Sequence, residues 1–87
     1  MEPFDANAVV FHHLIDLPNS DCVFCSTVET STGHSRLFLI FRERQRIYLR
    51  NGVRDTWDEL RDAAQYACIR ERFNQAIEEK NVPCFSA

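Results

Sequence analysis

Three clusters of turn-forming residues cut the first half of the chain into runs too short for helices, and this punctuation limits the fold more than any other feature. "LPNSDC" at 17 to 22 gathers Pro, Asn, Ser and Asp, "TSTGHS" at 30 to 35 is a second turn, "ERQR" at 43 to 46 is a tight third, and "RNGVRDT" at 50 to 56 leads onward. The runs between them are rich in Val, Phe, Ile, Leu, Tyr and Thr, which suit a pleated, half-buried surface. The middle of the chain is expected to form an antiparallel meander.

Residues 8 to 17, "AVVFHHLIDL", fit two patterns. Val10, Leu14 and Leu17 have helical spacing, and Asp5 could cap such a helix, whereas Val9, Phe11, His13 and Ile15 alternate as in a strand. The β-favouring "VVF" and a following "PNSD" turn favour a strand paired with "CVFCSTVET". Further on, Thr56 and Glu59 form a T-x-x-E capping box, and Asp58, Glu59 and Asp62 suit the positive end of a helix dipole. The sequence therefore predicts a helix from about Thr56 to about Lys80, stopping before Pro83. The expected fold is a single α+β domain over residues 1–87: a meander of three to four strands with a long C-terminal helix on one face. Its order is ββββα, or αβββα if the first segment is helical.

Strand alternation assigns faces. Leu37, Leu39 and Phe41 fall on one side with Ile47 and Leu49, and are expected to meet the helix; Arg36, Phe38, Ile40 and Arg42 fall on the other with Arg46, Tyr48 and Arg50. The helical segment carries two apolar stripes. Trp57, Leu60, Ala64, Ala67 and Cys68 form one, and Tyr66, Ile69, Phe73, Ala76 and Ile77 form a second on a nearly opposite face. If the first stripe lies on the sheet, the second is a candidate interface for a homodimer or another protein, unless the N-terminal segment or the tail "VPCFSA" covers it.

Charge is segregated along the chain. Residues 1–35 hold five acids and no Lys or Arg, 36–54 hold six arginines against Glu43, and 55–87 hold seven acids against four basic residues. The net charge of −3 disfavours long-range attraction to nucleic acid. Arginine is suited to planar pairing with carboxylate or phosphate, and with aromatics beside it the block could take either.

Chemistry-bearing motifs are sparse. Cys22-x-x-Cys25 is half of a zinc signature, since Cys68 and Cys84 stand alone in sequence, and in a regular strand its two thiols point to opposite faces. No nucleophile elbow, phosphate loop or redox-type Cys-x-x-Cys context is present. No stretch has the apolar length of a membrane span, and the first residues lack the pattern of a signal peptide, so a soluble cytoplasmic protein is expected.

These observations lead to the expectation of a non-enzymatic protein-binding module without cofactor, an inhibitor or adaptor of the kind carried by phages and other mobile elements. Its expected contacts are Arg36, Phe38, Ile40, Arg42, Arg46, Tyr48 and Arg50 on the sheet, and Tyr66, Ile69, Phe73, Ala76 and Ile77 on the helix. RNA binding through the Arg-rich hairpin is the second reading, and a zinc-stabilised domain the third.

Overall fold

The computed structural model describes residues 4–87. Its strands are β1 (Val9–Asp16), β2 (Cys22–Glu29), β3 (His34–Phe41), β4 (Arg46–Asn51), β5 (Thr56–Glu59) and β6 (Cys84–Ser86), with the helix α1 (Ala63–Glu79) between the last two. They form one mixed sheet in the order β5-β4-β3-β2-β1-β6. Strands β1 to β5 are an antiparallel meander, and β6 adds parallel to β1. The α+β class holds, but the sheet has six strands rather than three or four. Two short strands account for the excess: one lies in what looked like a helix start, the other in the tail.

The first segment is a strand preceded by a short 3-10 turn, Ala6–Ala8, capped by the Asp5 carboxylate accepting from the Asn7 N–H at 3.1 Å. Its double periodicity has a local cause. The register slips between Phe11 and His13, so His12 is an extra residue in a β-bulge. The bulge resets the alternation, and Val9, Phe11 and Leu14 all face the core. Neither a pure strand nor a pure helix pattern describes that set.

The helix begins seven residues later than Thr56, at Ala63, with Asp62 as its cap accepting from the Gln65 N–H at 3.0 Å. The side chains of the supposed capping box are engaged across β5 instead. The Thr56 hydroxyl donates to Asp58 at 2.8 Å, Asn51 Nδ2 donates to Asp58 at 3.0 Å, and Glu59 takes Arg46 at 2.6 Å. The Leu60 N–H then donates to the Ile47 carbonyl at 2.8 Å, extending the ladder. At its other end α1 closes on Lys80 in the left-handed region (φ 53°), three residues before Pro83.

The later start removes the paradox of two apolar stripes. Trp57 and Leu60 precede the helix, and Ala64 and Ala67 are exposed. What remains is one stripe, and it faces the sheet: Ile69, Phe73 and Ala76 are buried, with Tyr66, Cys68 and Ile77 packed beside them. Ile69, Phe73 and Ala76, expected as part of an interface, are thus core residues packed on the sheet. They meet Val9, Phe11, Leu14, Val23, Cys25, Phe38, Ile40 and Ile47 from the strands. Phe11 is the hinge of the aromatic packing, its ring 6.2 Å from Phe73 and 6.4 Å from Phe38, while Phe4 closes on Phe38 at 5.8 Å.

The face assignment of β3 is also reversed. Phe38 and Ile40 are fully buried and pair across the sheet with Leu49 and Ile47, while Leu37, Leu39 and Phe41 lie on the side away from α1. Both parities of β3 are apolar, so the assignment had rested on the arginines that share a parity with Phe38 and Ile40. Arg36, however, is held on the helix side by a carboxylate, and Arg42 lies just beyond the strand.

Two phenylalanines on opposite sides of the sheet should therefore respond differently to truncation. Phe73→Ala is expected to cost about 3–5 kcal/mol of unfolding free energy, whereas half-buried Phe24→Ala on the open side should cost about 1 kcal/mol. Urea titration of the two variants measures both.

Candidate functional site

The side of the sheet away from α1 has no second layer among the described residues. Cross-strand register places Phe85, Ile15, Phe24, Leu39, Tyr48 and Glu59 in one row that spans all six strands. Leu37, Phe41 and Trp57 flank that row. None of these apolar side chains belongs to the core cluster or packs against it. Most are half-buried by their neighbours alone, and Phe85 is 53% exposed.

The aromatic rings on this face lock one another in place. Phe24 and Trp57 meet edge to face at 6.2 Å, Phe41 and Tyr48 do so at 5.7 Å, and Phe85 stacks on His13 at 6.1 Å. Two arginines lie over rings at the margin: Arg44 is 4.2 Å from the Phe41 centroid and Arg50 is 5.6 Å from that of Trp57. The result is an apolar platform with cations laid over part of its rim.

Those cations are already neutralised. Arg46 pairs with Glu59 at 2.6 Å, Arg50 with Asp55, and Arg44 with Asp21 at 2.7 Å. Asp21 is the most heavily engaged carboxylate, taking the Arg44 guanidinium through two N–H groups and accepting from the backbone N–H of Glu43 and Arg44 as well. The Arg44 hydrogen bonds hold its pKa down at about 2. Asp58 is likewise lowered, first by its bond from Asn51 and then by Thr56.

The seven sheet residues expected to form one contact surface are split by the fold. Arg46, Tyr48 and Arg50 lie on the open face; Phe38 and Ile40 are in the core; Arg36 is on the helix side; Arg42 stands at the end of the sheet. Arg36 Nε donates at 2.9 Å to Glu29, whose side chain is only 1% exposed. Reasoning from β3 and β4 did not include Phe24, Leu37, Leu39, Phe41 and Trp57 in the surface. A signal was present: "CVFCSTV" and "RLFLIF" are apolar on both parities, which marks strands covered on both faces, and the described residues include one long helix to do the covering.

The Cys22-x-x-Cys25 pair sits in regular strand. Cys22 pairs with Phe41 on the open face and Cys25 with Phe38 on the helix face, so the two thiols do not converge. Burial pushes both thiols up, Cys25 most, which disfavours the thiolate. Among the described residues no group of three or more His, Cys, Asp or Glu could hold a metal ion, and no helix is long and apolar enough to cross a membrane.

No protein-family model, curated protein or solved structure matches this chain.

Two ion pairs give measurable consequences. Arg36→Ala strands a buried carboxylate and should cost about 3 kcal/mol, whereas Arg36→Met with Glu29→Leu should recover most of that loss, as read by chemical denaturation. Asp21→Asn should destabilise the protein at neutral pH. Because the folded pKa of Asp21 is depressed, its contribution is complete above the unfolded carboxylate range near 4 and fades as pH falls toward about 2. The difference between wild type and Asp21→Asn should therefore close over that interval in urea titrations at stepped pH.

Proposed function

We propose that this chain is a non-enzymatic protein-binding module of inhibitor or adaptor type, and that its contact surface is the helix-free face of the sheet. The observation that carries the proposal is the row Phe85, Ile15, Phe24, Leu39, Tyr48 and Glu59, which no element of the described chain covers. Six strands at a spacing of about 4.8 Å make a face about 24 Å wide, and strands of this length extend about 20 Å. One side then offers about 500 Å², and a complex about 1,000 Å² in total, at the lower bound for specific recognition. Binding strength at that size depends on a few anchors, and preset aromatic rings supply them.

Charge supports a protein over a nucleic acid as the occupant. A phosphate backbone would have to displace Glu59, Asp55 or Asp21 from the arginines that hold them. Arg44 and Arg50 also cover two of the rings on which bases would stack. A protein with an apolar patch ringed by mixed charge needs no such displacement.

The test is affinity capture from the native host with mass spectrometry, comparing wild type, Leu39→Glu on the platform and Arg54→Glu on the exposed β4–β5 turn. Native-like circular dichroism is required of both variants. Partners held by wild type and Arg54→Glu should fall at least about tenfold with Leu39→Glu, a loss of about 1.4 kcal/mol or more. Equal capture by Leu39→Glu would remove the platform as the contact surface. Loss of all partners on nuclease treatment would transfer the assignment to nucleic acid.

A further inference from the structure

On the helix side of the sheet, where α1 ends, a cavity of about 440 Å³ opens between α1, β1, β2 and the segment leading into β6. Leu14 and Val23 form its buried floor, and Ile77 and Val82 line its walls. Asp16, Arg42 and Lys80 also border it. This volume lies within the range of small-molecule sites, which are mostly apolar with a few placed polar groups.

The two cations are set apart by the bonding of all but one of the other Lys and Arg side chains. Of the ten in the chain, five arginines pair with carboxylates among the described residues: Arg36, Arg44, Arg46, Arg50 and Arg61. Arg70 and Arg72 are spent on backbone carbonyls, Arg70 on Phe41 and Arg42, and Arg72 on Val9 and Asn7. Only the Arg42, Arg54 and Lys80 side chains have neither an ion-pair nor a hydrogen-bond partner among the described residues. Arg54 lies on the exposed turn before β5, and the other two border the same apolar cavity.

We propose that this cavity binds a small amphiphilic monocarboxylate, its aliphatic body over Leu14, Val23, Ile77 and Val82 and its carboxylate taken by Arg42 and Lys80. The guanidinium supplies a planar fork for a carboxylate, and Lys80 a mobile point charge. The third charged group selects the charge of the ligand. Among the described residues, Asp16 Oδ2 receives only the weak Cys84 thiol donor at 3.8 Å, and no cation pairs with it at the wall. Two cations against one carboxylate leave a single positive charge, which a monoanion balances and a dianionic phosphate exceeds beside Asp16. This site is on the side of the sheet opposite the platform and does not depend on the protein-binding proposal.

Octanoate titrated into methyl-labelled full-length protein tests the site, with octanol as the uncharged probe and NMR of the Leu14, Val23, Ile77 and Val82 methyl groups as the readout. Octanoate should give saturable shifts confined to those methyls, and octanol should bind at least about fivefold more weakly. The double variant Arg42→Glu with Lys80→Glu changes two exposed side chains, and the remaining resonances verify that it is folded. It should weaken octanoate at least about tenfold. Octanol binding as tightly as octanoate, or the double variant binding octanoate within about twofold of wild type, overturns recognition by the cations. Absence of a saturable shift up to roughly 10 mM octanoate overturns the site.

Discussion

One helix has to serve a six-stranded sheet whose central strands, β2 and β3, are apolar on both faces, and most of the structure follows from that shortage. With 17 residues α1 is about 25 Å long but only about 10 Å wide, against a sheet about 24 Å across. Even the covered face needs help. Phe4 and the 3-10 turn fill one flank, Val82 another, and Leu60 and Tyr66 contribute beside the β4–β5 end. No element of the described residues remains for the opposite face. Its side chains shelter one another through aromatic edge contacts and arginines laid over rings, an arrangement that reduces apolar exposure without supplying a second layer.

The segregation of charge along the sequence becomes pairing in space. The acidic segments before and after the arginine block do not frame it as separate patches. Antiparallel folding lays β2 and β5 on either side of β3 and β4, so Glu29 meets Arg36, Glu59 meets Arg46, and the adjoining turns bring Asp21 to Arg44 and Asp55 to Arg50. A block that looks strongly basic in one dimension is largely neutral in three. The pairs also help fix strand position, since Arg46–Glu59 bridges β4 to β5 and Arg36–Glu29 bridges β3 to β2.

The order of the hairpins was legible because turn chemistry is local: Asn19, Gly33, Gln45 and Asp55, all at positive φ, lie within the turn stretches that the sequence marks. The position of β1 was legible for the same reason, although the bulge at His12 blurred its period. The start of α1 was not, because Thr56 and Glu59 suit a capping box and a strand equally well, and the choice was made by distant partners, Arg46 and Ile47. Which side of β3 met the helix was also beyond local reasoning. Phe38 and Leu39 differ little in hydrophobicity, and only the sheet-wide register, with Ile47 and Leu49 opposite Ile40 and Phe38, assigns them to opposite faces. The candidate site inherited that ambiguity: Arg46, Tyr48 and Arg50 lie on the helix-free face, whereas Phe38 and Ile40, grouped with them by the sequence, lie in the core.

Prior pairing of the rim arginines bears directly on what a platform of this kind can accept. A free guanidinium loses hydration when a partner covers it and must recover that loss from a new ligand, which favours an acidic or phosphorylated partner. Arg46 and Arg50 have exchanged part of their hydration for Glu59 and Asp55 within the fold, so a covering surface meets neutral pairs and compact rings. In the proposed complex, complementarity of shape across Phe24, Leu39 and Tyr48 would then govern the fit, and charge would act mainly by rejecting surfaces that split those pairs. Two of the unpaired cations, Arg42 and Lys80, border the cavity on the helix side, the site proposed for a single compensating charge on a small apolar body. The two sides of the sheet thus differ in the kind of recognition that their electrostatics permit, although the same strands, β1 and β2, supply Leu14 and Val23 to one and Ile15 and Phe24 to the other.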